Sequence, residues 1–251
     1  MIKRAARIHK TWTVLASLSA LGILAVPAGA DLAIAPSSTT AGKLTTLQVQ
    51  VNITPNSAGV FVPASGVTVT IPKGMVLNTA ALPASCLPDM LLNSGPSGCK
   101  AVGVLDSSGV FSATIGTGEN AEDASETVTT QAFVTSKTKS SVQLGFLVHG
   151  QSPMAIEEVV TGTLTNGQLA LRGLPDVSNL GLDLETAPYS LTFNVGAIKT
   201  LKVKANKNTR KVVTSLITAP KCPARRTLSW SATATYKDGT TSSATAQTTC
   251  R

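Results

Sequence analysis

From Leu32 to the C-terminus the chain repeats one pattern: short runs in which apolar and hydroxyl side chains alternate, each stopped by a turn signal. Alternation at every second residue suits a strand with one buried face and cannot form the apolar stripe of a helix. Leu47, Val49, Val51 and Ile53 share one face of a strand predicted over 44–53, and Val67-Thr68-Val69-Thr70-Ile71 is stopped by Pro72 and Gly74. Leu228, Trp230, Ala232, Ala234 and Tyr236 alternate with Ser and Thr before Asp238-Gly239, and 240–249 returns as the partner of a hairpin. Asn166-Gly167 is a second hairpin signal, between strands predicted over 156–164 and 168–174. Asp106-Ser107-Ser108-Gly109 reads by composition as a third, joining 101–105 to 110–115.

Further strands are predicted over 127–134, 142–149, 189–198 and 212–217. Charged residues make up 14% of the chain, against about 25% in an average soluble domain. Few charges with many β-branched residues favour strands over disorder. The expected fold is all-β: an antiparallel Ig-like or jelly-roll-type β-sandwich held by local disulfides.

The first 30 residues follow a different rule. Lys3, Arg4, Arg7 and Lys10 precede an apolar run from Trp12 to Val26, Pro27 breaks it, and Ala28-Gly29-Ala30 offers small residues for cleavage before Asp31. The run is short of the ~20 residues a spanning helix needs, and the order of charge, apolar core and small residues is that of a secretory signal. Residues 1–30 are therefore expected to be a cleaved signal peptide and 31–251 the secreted domain, with no transmembrane anchor after cleavage. The leader holds four of the 21 basic residues and no acid, so 17 bases face 13 acids in the remaining 221 residues, a formal +4. That length suits one large domain. The alternative is two small sandwiches split near the Gly-rich, acidic stretch 116–126, which holds Glu119, Glu122, Asp123 and Glu126.

Cys86, Cys99, Cys222 and Cys250 form an even set in an exported chain, which implies disulfides with three possible connectivities. Cys86 and Cys99 bracket a Pro/Gly/Ser-rich loop and Cys222 and Cys250 flank the last hairpin, so 86–99 and 222–250 are the expected pairs. The C-x₂₋₄-C spacing of zinc sites and the C-x-x-C of redox pairs are both absent.

Groups for catalysis are scarce. His149 is the one histidine after the leader and stands at the end of an apolar strand, and no G-x-S-x-G elbow is present. Glu157-Glu158 are adjacent and face opposite sides of a strand, whereas Asp183 and Glu185 could share a face and act as a carboxylate pair in a hydrolase. The acids of 116–126 lack the D-x-D-x-D-G pattern of a calcium loop and read as solvated charge. Trp230 and most other aromatics sit at alternating positions and read as core. Neither catalytic residues nor a metal or cofactor is expected.

The remaining feature is a basic stretch over 199–226 with Lys199, Lys202, Lys204, Lys207, Arg210 and Lys211, and no acid between Glu185 and Asp238. It suits an anionic polymer or carbohydrate of the cell envelope, or edge protection of a sheet. Without interleaved aromatics, nucleic acid is disfavoured. The function expected is a non-enzymatic structural or binding role in the cell envelope or outside the cell, with such a polymer or another secreted protein as partner.

Two elements carry a family likeness. Ile71-Pro72-Lys73-Gly74, the Cys86 to Cys99 loop and Val102-Gly103 form the first; Cys222-Pro223, Trp230, Tyr236-Lys237-Asp238-Gly239 and Cys250 form the second. The layout resembles a loosely defined group of uncharacterised secreted proteins from high-GC Gram-positive, actinobacterial-type bacteria. The resemblance implies a β-sandwich outside the membrane and brings no activity, ligand or catalytic residue with it.

Overall fold

The computed structural model describes residues 29–55, 59–100, 103–117, 120–150, 152, 155–174, 184–205 and 208–251. The proposed leader up to Ala28 lies outside them, as do Glu119, Asp183 and Lys207.

Among the described residues the chain forms β1 (Ala30–Pro36), β2 (Leu44–Thr45), β3 (Leu47–Ile53), β4 (Ala64–Thr70), β5 (Val76–Leu77), α1 (Pro88–Ser94), β6 (Val104–Thr117), β7 (Asn120–Lys137), β8 (Ser141–His149), β9 (Glu157–Thr165), β10 (Gln168–Arg172), β11 (Leu184–Val195), β12 (Lys199–Ala205), β13 (Asn208–Thr214), β14 (Ile217–Thr218), β15 (Thr227–Tyr236) and β16 (Thr241–Thr249). The fold is all-β and antiparallel, as the alternation requires. The sandwich expectation is not what the hydrogen bonding shows. Eleven strands make one sheet in the order β1-β3-β11-β6-β7-β8-β9-β10-β4-β15-β16, and its two end strands lie against each other, so the sheet curls into a nearly closed, barrel-like wall. The physical reason is that strands such as β3 and β15 bury alternate residues on one side, which a single curled sheet satisfies without a second layer. Strands from both sides of 116–126 pair within this sheet.

The interior follows the alternation. In β3, Leu47, Val49, Val51 and Ile53 are buried and Gln48 and Gln50 exposed; in β15, Trp230, Ala232, Ala234 and Tyr236 point inward. Phe193 meets Phe111 and Phe146 edge-on, with centroids 6.5 and 5.9 Å apart, a geometry that matches ring edges to ring faces. The two large polar-tipped rings find partners on β16: Trp230 Nε1 donates to Thr248 Oγ1 at 3.0 Å, and Tyr236 OH and Ser242 Oγ lie 2.7 Å apart.

Two local expectations change, and a third holds. Asp106 to Gly109 is not a hairpin turn: β6 runs through it, and the surplus residues appear as register shifts against β7 between Val104 and Asp106 and between Asp106 and Gly109. A strand long enough to pair on both sides absorbs turn-type residues as bulges. The described residues of 116–126 are strand, with Thr117 paired to Asn120 at the end of the β6–β7 ladder, because β-ladder pairing supplies what their composition does not. Asn166-Gly167 does join β9 to β10, yet neither residue has positive φ. The turn is held instead by Thr165 Oγ1, which accepts from the N–H groups of Gly167 and Gln168.

Both disulfides are the expected pairs, Cys86–Cys99 and Cys222–Cys250, with Cα atoms 5.2 and 5.5 Å apart. The first clamps α1, a short helix inside the Pro/Gly/Ser-rich loop, with Pro88 in its first turn. It holds Leu91 against Phe133 and Leu147 on the outside of the wall, a second small core. The second fixes the end of β16, where Arg251 N–H bonds Thr39 O and Ala41 N–H bonds Arg251 O, tying the C-terminus to the β1–β2 turn.

Candidate functional site

The basic stretch forms an element of its own. A strand predicted over 212–217 is instead β13 followed by the short β14, and β12 and β13 pair only with each other, outside the eleven-stranded sheet. At Gly196, whose φ is +85°, the chain leaves the sheet in a conformation that side-chain-bearing residues rarely adopt. It is fastened again at Ser215, which is fully buried and whose Oγ donates to Thr45 O at 2.8 Å and accepts from Ile217 N–H. A ribbon of two strands is marginal alone; this one has a rigid root.

Register assigns its faces. Leu201 lies opposite Val212, both half-buried, with Leu201 packed against the main core. On the other face Thr200 lies opposite Val213 and Lys202 opposite Lys211, and all four are exposed. Directly opposed residues hold their Cβ atoms about 5 Å apart, and like charges there repel. Two lysines in that arrangement concentrate positive potential on one spot, which an anion relieves. Arg210, opposite Val203, is exposed on the body-facing side. Lys204 takes the next register position opposite Thr209. Lys199, at the root, is half-buried, and that burial lowers its ammonium pKa. The structure thus brings Lys202 and Lys211 together, sets Arg210 on the opposite side and draws Lys199 toward the body.

Other candidates disperse. Glu185 lies in β11 opposite Gly116, and its proposed partner Asp183 is outside the described residues. Of the acidic stretch, Glu126 is not solvated charge: it is 2% exposed, because its position in β7 faces the inside of the wall. It lines an apolar cavity with Phe111, Ile115, Val128, Ile156 and Pro188 that has room for roughly one water molecule. A Cβ on Gly150 would collide with its carboxylate. Sequence reading missed this inward acid; extending the alternation of Val128 and Thr130 back by one step would have found it. His149, the last residue of β8, pairs across the ladder with Glu157 at an exposed surface groove bordered by Pro96, Thr129, Gln131 and Leu147. Glu158 is on the next rung, opposite Val148. Among the described residues no three His, Cys, Asp or Glu side chains gather as metal ligands. No helix of the described residues is long and apolar enough to cross a membrane, and the two disulfides fit an oxidising compartment.

No family model matches the chain, and neither curated proteins nor solved structures give a match.

Proposed function

We propose that this chain is an exported, non-catalytic binding protein of the bacterial envelope that engages an anionic polymer through the β12–β13 ribbon. Removal of residues 1–30 and secretion are part of this reading, supported by the leader pattern and by two disulfides. One observation carries it: Lys202 and Lys211 stand directly opposite each other on the exposed face of a ribbon that the main sheet does not need. A pair that repels itself across a ladder weakens the ribbon, and an anionic ligand turns that repulsion into attraction. The wall supplies a rigid mount, with Ser215 and Leu216 fully buried at the root.

Retention of the oxidised protein on an immobilised polyanion such as polyphosphate tests the reading. Retention should fall steeply with salt, since exposed charges are screened beyond ~10 Å at 0.1 M. The K202Q/K211Q variant, changed only at exposed positions, should elute at markedly lower salt. Retention that is independent of salt, or equal in the variant, refutes the ribbon as the contact surface.

A further inference from the structure

We propose that the ligand of the ribbon is an anionic amphiphile, its anionic head seated between Lys202 and Lys211 and its apolar part lying along Val213 and Ile198. This rests on the reading of the ribbon as an anion-contact surface and adds an apolar contact beside it, so that among anions those carrying an alkyl or acyl part bind better than a bare polyanion. The ribbon's outward face is not uniformly polar. Val213 is 56% exposed, and Ile198, the residue leading into β12, is 49% exposed. Both are β-branched side chains left in water at the ribbon's root, while Leu201 on the body-facing side is packed against the core.

Val213 is two residues from Lys211 on the same strand and face, a spacing of about 6.7 Å. Lys202 is on the facing strand, on the rung of Lys211. From root to tip there is exposed Ile198 ahead of the ladder, then the rung of Thr200 and Val213, then the paired cationic rung. A polymer carrying charge alone needs only the second. A molecule with one anionic group next to an alkyl or acyl chain uses both, since the cations fix the head while the tail removes exposed Val and Ile surface from water. The same chemistry is offered by a free alkyl phosphate and by the headgroup region of an anionic bilayer.

The test uses the full oxidised protein and three probes: inorganic polyphosphate, n-octyl phosphate below its micellar concentration, and phosphatidylglycerol vesicles with phosphatidylcholine vesicles as control. Affinities are read by calorimetry and by co-sedimentation. K202Q/K211Q should lose binding to every anionic probe. I198S/V213S, altered only at exposed positions, should bind polyphosphate as the unaltered chain does and bind octyl phosphate or anionic vesicles about tenfold more weakly. Binding of octyl phosphate assigns a free amphiphile, and binding of vesicles alone assigns a bilayer surface. Equal loss, or no loss, across all probes in I198S/V213S overturns the amphiphile while leaving the ribbon as a polyanion site. Binding that survives in K202Q/K211Q overturns both.

Discussion

Removing Cys222–Cys250 should loosen one line of the wall, the seam between β1 and β16. The bridge closes a loop of sequence separation 28, for which the chain-entropy relation gives about 3.6 kcal/mol; Cys86–Cys99, with separation 13, gives about 3 kcal/mol. The sums are close, so the location of the damage is what discriminates. In the C222A/C250A variant the end of β16 keeps its ladder to β15 but loses the covalent hold on the segment that places Arg251 against Thr39 and Ala41. For a chain of this size with an m-value of about 2–3 kcal/mol/M in urea, the transition midpoint should fall by 1–2 M. Hydrogen exchange should lose protection first in Ala30–Pro36, Thr241–Thr249 and the turn between β1 and β2. C86A/C99A should instead expose Pro88–Ser94 and the Phe133–Leu147 face and leave the seam protected. A midpoint shift below 0.3 M in C222A/C250A, or early loss of protection in β6–β8 with the seam intact, would refute the seam as the place this bridge secures.

Three further outcomes follow from single side chains. Gly145→Ala puts a Cβ 2.9 Å from Thr135 Cγ2 and 3.2 Å from Leu91 Cδ1, so it should lift α1 off the wall and cost about 1–3 kcal/mol in urea unfolding, with little change at β15–β16. Burial, offset by the Ser242 bond and aided by Asp238, raises the Tyr236 phenol above its ordinary pKa; the stability it contributes is present below pH ~10 and is lost as pH rises through the folded value, so stability should drop less in Y236F than in the unaltered chain above pH 10. Lys202→Glu turns a repelling pair into an attracting one, so thermal unfolding at low salt should rise by the equivalent of about 0.2–1 kcal/mol while retention on a polyanion is lost; a loss of both together would make the pair a structural requirement.

What the sequence disclosed is what period and position encode. The buried set of β3, the core role of Trp230, the final hairpin and both disulfides are local patterns or local pairings, and each is found where the alternation and the cysteine positions place it. Strand order is another matter. β4 pairs with β10 and β15, and β3 with β11, contacts that join segments about 100 residues or more apart and leave no periodic trace. For the same reason alternation could not separate a two-layer sandwich from one sheet curled on itself, since both bury every second residue. Asp106 to Gly109 failed in the opposite way: its turn chemistry was real but weaker than the ladder that β7 and β11 impose on the rest of β6.

The candidate site was legible as charge and illegible as geometry. A count of lysines and arginines between 199 and 226 treats them alike, whereas pairing gives them different tasks: Lys202 and Lys211 confront each other, Arg210 falls on the other face and Lys199 is drawn toward the body. That division depends on register, and a slip of β12 by one residue would place Leu201 in water and turn Lys202 against the body, away from Lys211. The apolar anchor of Leu201 on the core therefore fixes which cations face outward. The repulsion between Lys202 and Lys211 survives folding because the rest of the ribbon holds it in place. Edge protection explains scattered lysines on a strand but not two set against each other on one rung, so the paired rung, and not the length of the basic stretch, is what sets this ribbon apart from a protected edge.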